Sequence, residues 1–338
     1  MVLIGIDPHK ASHTAVVIDE SERELARVKV KADRSQVAAL LQFADCYQPR
    51  RWAIESAGGL GFLLAQQLVR AGEDVVDVPA TLAARVRLLG SGRGSKSDPN
   101  DALSTAIAAL RDPHLRTVVA EDHAMVLRLL ADRHQDLTSL RTQAVCRLHA
   151  LIAALTPGGV QTRISAEGAA SRLRSIHPQN AVEAQRKEMA LELVADVRRL
   201  DKAIAQVKQR TAAAVTASGT SVTDIHGVGP IVAALLIGHS GDITRFPSSG
   251  HYASYNGTAP IEASSGPTVR HRLNPRGNRQ LNHALHMAAV SQLRHDTPGR
   301  AYYLGKIEAG KTPKEARRAL KRKISDAVYR QLRADART

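Results

Sequence analysis

The chain has 338 residues, 43% hydrophobic and 23% charged but only 3% aromatic, a balance that supplies a sizeable core for two domains and excludes a disordered or collagen-like chain. With 47 Lys and Arg against 32 Asp and Glu the formal charge is +15, which attracts polyanions over roughly a Debye length and points to nucleic acid. No window approaches the roughly 18 consecutive apolar residues of a membrane span, and the sequence opens directly on a strand, so neither insertion nor export is expected.

The excess charge is concentrated. From Gly266 to Thr338 there are 17 Lys or Arg and 5 Asp or Glu, a net +12 of the chain's +15. Tyr302, Tyr303 and Tyr329 are too few there for base stacking, so contact with phosphates is the expected mode. Cys46 and Cys146 have no zinc or disulfide spacing and fall in helical stretches, where they are expected to be buried thiols of a reducing cytoplasm.

In chain order, Val2 to Asp7 is an apolar strand ending in a carboxylate. Pro8-His9-Lys10 turns the chain, His13 to Ile18 returns as a β-branched strand, and Leu25 to Val30 alternates as a half-exposed strand should, giving an antiparallel meander. An amphipathic helix over Ser35 to Cys46, capped by Asp33 or Ser35, precedes a strand Trp52 to Glu55, a helix Leu60 to Ala71, a strand Asp74 to Val78 and a helix opening near Asp98. This order resembles the ribonuclease H-like fold, in which the first and fourth strands carry neighbouring acids and a later helix supplies the rest.

Asp7, Glu55, Asp98 and Asp101 fall on those elements, and four carboxylates from three segments suggest a divalent-metal site. Asp98 and Asp101, three residues apart, share a face of the first helical turn; acids there also complement the helix dipole whether or not they do chemistry. The basic, glycine-rich stretch Gly90 to Ser97, with Lys96, can close over a phosphate but lacks the strand-to-helix context of a P-loop.

From about Thr117 to Ser218 long helical patterns dominate: Met125, Leu129, Leu130, Leu137, Leu140, Val145, Leu148, Leu151, Ile152 and Leu155, then a second helix from Val182 to about Val215. The pair reads as a coiled-coil arm that dimerises, binds nucleic acid, does both, or spaces the domains. Ile225-His226-Gly227-Val228-Gly229-Pro230 before the helix Ile231 to Gly238 resembles a helix-hairpin-helix element, whose backbone N–H groups face phosphate; a Gly-rich turn between packed helices reads the same way.

The C-terminal part is mainly helical and holds Tyr255-Asn256-Gly257-Thr258-Ala259-Pro260, a Ser264-Ser265-Gly266 step and Arg270, Arg272, Arg276 and Arg279, forked donors suited to phosphate. His226, His271, His283 and His286 read as phosphate or packing residues, since His283 and His286 alone do not complete a zinc set.

Taken together, the four acids, the Lys96 to Ala102 pattern, the coiled-coil middle, Gly227 to Pro230 and the serine-glycine-arginine region resemble DEDD-type insertion-sequence transposases of insertion-sequence family one hundred and ten, which are bridge-RNA-guided DNA recombinases. The resemblance implies a RuvC-like catalytic domain over 1–116, coiled-coil helices over 117–218 and a transposase domain over 219–338. It implies that Asp7, Glu55, Asp98 and Asp101 bind Mg²⁺ or Mn²⁺, and that Ser265, or adjacent Ser264, attacks DNA. Lys96, Arg270, Arg272, Arg276 and Arg279 are then nucleic-acid contacts. The implied partners are donor and target double-stranded DNA, a noncoding bridge RNA and further copies of the chain, as dimers pairing into a tetramer in a prokaryotic cytoplasm at the nucleoid.

A serine hydroxyl becomes a competent nucleophile when a base or metal takes its proton, and a covalent serine link conserves phosphodiester energy for rejoining. The rival reading is a metal-dependent, structure-specific nuclease that cuts by hydrolysis and needs only the acids. An actin-like ATPase also begins Gly-Ile-Asp, but Pro8-His9-Lys10 stands where its phosphate-gripping residues belong. An inert nucleic-acid-binding protein would not need all four acids.

Overall fold

The computed structural model describes residues 1–89, 97–160, 164–262, 271–272, 274 and 276–337. The chain divides into two compact units, Met1–Glu121 and Asp122–Thr338.

The first unit is built on β1 (Val2–Pro8), β2 (Ser12–Ile18) and β3 (Glu24–Lys31), then α1 (Gln36–Ala44), β4 (Arg50–Glu55), α2 (Phe62–Arg70), β5 (Val75–Val78), α3 (Ala80–Leu89), α4 (Asp98–Arg111) and β6 (Arg116–Thr117). The sheet order is β3-β2-β1-β4-β5-β6. The first three strands pair antiparallel, whereas β1–β4 and β4–β5 pair parallel. A meander followed by parallel crossovers is the ribonuclease H-like arrangement expected from the strand and helix order. Helix α3 is an addition to that expectation, because its apolar residues make no strong stripe: Ala83 is its one buried residue, while Leu88 and Leu89 are exposed.

Alternation along the strands separates two layers of core. Ile4, Ile6, Trp52 and Ile54 pack with Leu40, Leu64 and Leu68 from α1 and α2. On the opposite face Leu3 and Val16 pack with Ala102 and Ala106 of α4. Gly5 lets α4 come this near: a Cβ at Gly5 would overlap the Ala102 carbonyl oxygen and lie 2.6 Å from the Ala106 nitrogen.

The second unit contains α5 (His123–Ala153), α6 (Ala166–Arg174), α7 (Ala181–Ala217), α8 (Pro230–Ser240), α9 (Ser249–Tyr255), the two-residue strands β7 (Ile261–Glu262) and β8 (His271–Arg272), α10 (Arg279–Arg294), α11 (Pro298–Glu308) and α12 (Pro313–Asp335). Helices α5 and α7 pack through Leu137, Leu148, Ile152, Val194, Val197 and Val207, with Leu173 of α6 covering one end. The seam is narrower than the apolar spacing suggests, for Leu129 and Leu140 are exposed. A second core joins α8, α10 and α12 through Leu236, Leu281, Leu285, Ile324 and Val328.

Both cysteines are exposed, correcting the expectation of buried thiols. Cys46 lies beyond the end of α1. Cys146 is two residues past the buried Ala144 on α5, about 200° around the helix and so turned to solvent.

Candidate active site

The strand register sets the acids in place. On β1, Leu3 and Gly5 face α4, so by alternation Asp7 does too; on β4, Ala53 packs toward α3 and α4, and Glu55 shares its face. Ile6 pairs with Ile54 in the parallel register, so Asp7 and Glu55 are the next residues at the C-terminal ends of adjacent strands. Ser56, with φ 51, and the close pairs Ser56 N–Val78 O (2.9 Å) and Gly59 N–Ser56 O (2.7 Å) turn the chain away directly after Glu55. Across the meander Asp7 pairs with Thr14 and Thr14 with Lys29, so Asp7, Thr14 and Lys29 form one row beneath the start of α4.

Helix α4 opens with Asp98 as its first residue and Asp101 one turn on. The two acids have different neighbours. Asp98 is half-exposed and takes a hydrogen bond from Lys29 Nζ at 2.8 Å, which holds its carboxyl below the usual aspartate range. Asp101 is buried and takes the Arg87 guanidinium from α3.

The turn from β1 to β2, closed by His9 N donating to Ser12 O at 2.9 Å, brings the His9 ring between two of these acids. His9 Nδ1 is 3.5 Å from Asp7 Oδ2 and His9 Nε2 is 3.9 Å from Asp98 Oδ1. Asp7, His9 and Asp98 each offer a ligand atom, and these atoms all lie within 4.8 Å of one another. Glu55 and Asp101 stand outside that group. By sequence alone His9 is no more than a turn residue; the available signal is a histidine two positions beyond a strand-end aspartate, inside a tight turn.

In the second unit, Arg272, Arg276 and Arg279 are exposed. The turn after α9 and the turn before α10 are clamped together. Asn278 N donates to Tyr255 O at 2.7 Å, Asn274 Nδ2 donates to Ser254 O at 2.9 Å, and a Cβ at Gly277 would overlap Gly257 Cα. Lys96, Ser264, Ser265 and Arg270 lie outside the described residues.

Two family models match this chain. One, described as a transposase of the DEDD type named for IS110, covers residues 4–157; the other, described as transposase of the IS116/IS110/IS902 family, covers residues 219–304.

The chain belongs to the IS110/IS116 family of DEDD transposases.

This transposase is 25% identical to a protein of insertion element IS116 from Streptomyces clavuligerus, over 98% of its own length and 94% of that relative. It is 27% identical to a protein of insertion element IS900 from Mycobacterium paratuberculosis, over 99% and 96% of the two chains. Among solved structures, RuvC of T. thermophilus in complex with Holliday junction substrate shares 20% identity over 35% of this chain and 99% of that chain, with a TM-score of 0.29.

The DEDD type and its fold imply a divalent metal ion, and the donor set fits one. Asp7 and Asp98 present hard carboxylate oxygens, the chemistry of Mg²⁺ and Mn²⁺, and an imidazole nitrogen is compatible with Mn²⁺. Lys29 Nζ lies on Asp98 Oδ2 at 2.8 Å, while Asp98 Oδ1 faces His9. Asp7, His9 and Asp98 are the residues that would hold the ion, which when bound supplies Lewis-acid polarisation of a phosphate and of an attacking hydroxyl. The transposase has no helix, among the described residues, long and apolar enough to cross a membrane.

Proposed function

We propose that this transposase cuts and rejoins donor and target DNA through a covalent serine intermediate, binding Mg²⁺ or Mn²⁺ at Asp7, His9 and Asp98, with Glu55 and Asp101 completing the four-acid set around the ion when DNA is bound. The observation that carries the reading is the convergence of Asp7, His9 and Asp98 at one end of the sheet, all with ligand atoms within 4.8 Å of one another. Water or a hydroxyl at such a site meets a concentration of negative charge that excludes phosphate until cations neutralise it.

In this reading Ser265 Oγ attacks a phosphodiester. The Oγ–P bond forms, the bond to one deoxyribose oxygen breaks, that oxygen leaves as a free hydroxyl, and a hydroxyl of another strand later displaces the serine. The clamped turns at Tyr255–Gly257 and Asn274–Asn278 hold the two ends of the stretch containing Ser265. Arg270, Arg272, Arg276 and Arg279, with Lys96, contact phosphates, in keeping with the +12 carried by the C-terminal 73 residues from Gly266 on. A noncoding RNA selects the two DNAs, and dimers pairing into a tetramer supply an active site for each strand exchanged.

The test incubates the protein with Mg²⁺, the element's flanking noncoding RNA and matching donor and target DNA, and looks for a protease-sensitive DNA adduct. An adduct present in wild type and lost in Ser265→Ala supports the reading; Ser264→Ala keeps it. Cutting without an adduct, undiminished in Ser265→Ala, replaces it with hydrolytic cleavage by the acids alone.

A further inference from the structure

Helices α10 and α12 of the second unit pack against each other. Asn282 and His286 lie four residues apart on α10, as Arg317 and Lys321 do on α12, so each pair forms a stripe along its helix. Lys321 Nζ donates to Asn282 Oδ1 at 2.5 Å, which sets the two stripes face to face.

Among the described residues, neither Arg317 nor Lys321 makes an ion pair with an acid. Arg317 Nε is buried and makes no hydrogen bond among the described residues. The two nearest acids along α12 are engaged elsewhere. Glu315 closes the capping box with Thr312 through hydrogen bonds of 2.9 and 2.7 Å, and Asp326 pairs with Arg322 at 3.2 Å. A half-buried guanidinium whose Nε–H lacks an acceptor, beside a second cation, is stabilised when an anion comes to the cluster.

We propose that Asn282, His283, His286, Arg317, Arg318 and Lys321 form a phosphodiester-binding site that grips the backbone of the DNA substrate. A phosphodiester brings one negative charge and two acceptor oxygens to a cluster offering the Arg317 and Arg318 guanidinium groups and the Lys321 ammonium. Burial, and then Arg318, lowers the Lys321 ammonium to about 8. Burial lowers His286 as well, followed by Lys321, Arg317 and His283. The cations crowd one another, and an anion relieves that repulsion.

The cluster is bonded to the turn that leads toward Ser265. Asn282 Nδ2 donates to Asn256 O at 3.0 Å, and the buried Asn256 donates to Ser325 Oγ at 2.7 Å while its Oδ1 accepts from Thr258 N and Oγ1 at 3.1 and 2.7 Å. A DNA strand held at Lys321 is thus held beside this turn. The choice of DNA as the strand rests on the proposed transposition chemistry; the phosphate chemistry of the cluster does not.

The experiment measures binding of the full chain to a short DNA duplex and to an RNA of the same length across a salt series, for wild type, Arg317→Gln, Lys321→Met and Lys321→Arg. Arg174→Gln serves as the control, and circular dichroism melting checks folding. Expected is a several-fold weaker DNA affinity in Arg317→Gln and Lys321→Met, with the salt slope falling by about 0.9 for each phosphate no longer neutralised. Lys321→Arg recovers most of it, and DNA protects Lys321 of wild type from acetylation. An unchanged slope in folded Arg317→Gln and Lys321→Met overturns the site, as does an equal loss in Arg174→Gln, a loss confined to RNA, or DNA binding that leaves Lys321 fully reactive. The binding assay does not read covalent attachment, so failure of the adduct test leaves this site standing.

Discussion

Lys29 Nζ lies 2.8 Å from Asp98 Oδ2 across 69 positions of sequence, so the third strand of the meander neutralises the first residue of the helix that covers the sheet. The hydrogen bond from Lys29, more than any other influence, holds the Asp98 carboxyl below its ordinary value. Asp98 is half-exposed, so its interaction is a modest contribution to stability. Its sign is that of a depressed acid: the contribution is present above the unfolded aspartate value of about 3.9 and is lost as pH falls through the lower folded value. Lys29→Met is expected to raise the Asp98 titration toward its ordinary range, read by carbon-13 NMR of labelled aspartate. An Asp98 titration that stays where it is in wild type contradicts the pairing.

The close passage of α4 over Gly5 gives a second prediction. With the Ala102 oxygen well inside van der Waals distance of any Cβ at that point, Gly5→Ala must push the helix outward and carry Asp98 away from Asp7. Overpacking of this kind costs about 1–3 kcal/mol. We expect a lowered melting temperature together with weaker divalent-ion binding, measured by calorimetry. Wild-type metal affinity in Gly5→Ala would show that the site tolerates the helix shift.

Asp101 is buried against Arg87. Arg87→Ala leaves a carboxylate without its guanidinium and should destabilise the first unit by up to about 3 kcal/mol, the low end for a buried pair because Arg87 keeps partial exposure. Added Mg²⁺ or Mn²⁺ is expected to restore more stability to Arg87→Ala than to wild type, and chelation to remove it. Thermal melts with and without chelator decide; equal responses of the two proteins place Asp101 outside the reach of the ion.

His13 on β2 is buried, with Nε2 2.9 Å from Gln36 Oε1, and Gln36 in turn donates to Gln67 at 2.6 Å. Burial lowers the His13 imidazole below the ordinary 6.5. The folded state therefore favours the neutral ring. Stability associated with it is complete above 6.5 and declines as pH falls from there through the lower folded value, because the unfolded chain takes up the proton first. His13→Gln should flatten the fall in melting temperature between neutral and mildly acidic pH. A fall as steep as in wild type assigns the acid sensitivity to other groups.

The local chemistry of the chain determined the meander, the strand ending at Glu55 and the helix opening at Asp98, because alternation and helical spacing are properties of neighbouring residues. It likewise indicated which acids end their strands, and the register of β1 with β4 sets Asp7 and Glu55 side by side on one face. Helix α3 is silent in the sequence because Leu88 and Leu89 point to solvent, and the exposure of Cys146 is hidden there because burial on a long helix depends on which face meets the partner. The grouping of His9 with Asp7 and Asp98, and the approach of Lys29 and Arg87 to the acids, were decided by the tertiary structure alone. Each depends on where α3, α4 and the β1–β2 turn come to rest on the sheet, and that is set by close packing at Gly5 and by strand register, quantities that no short window of sequence contains.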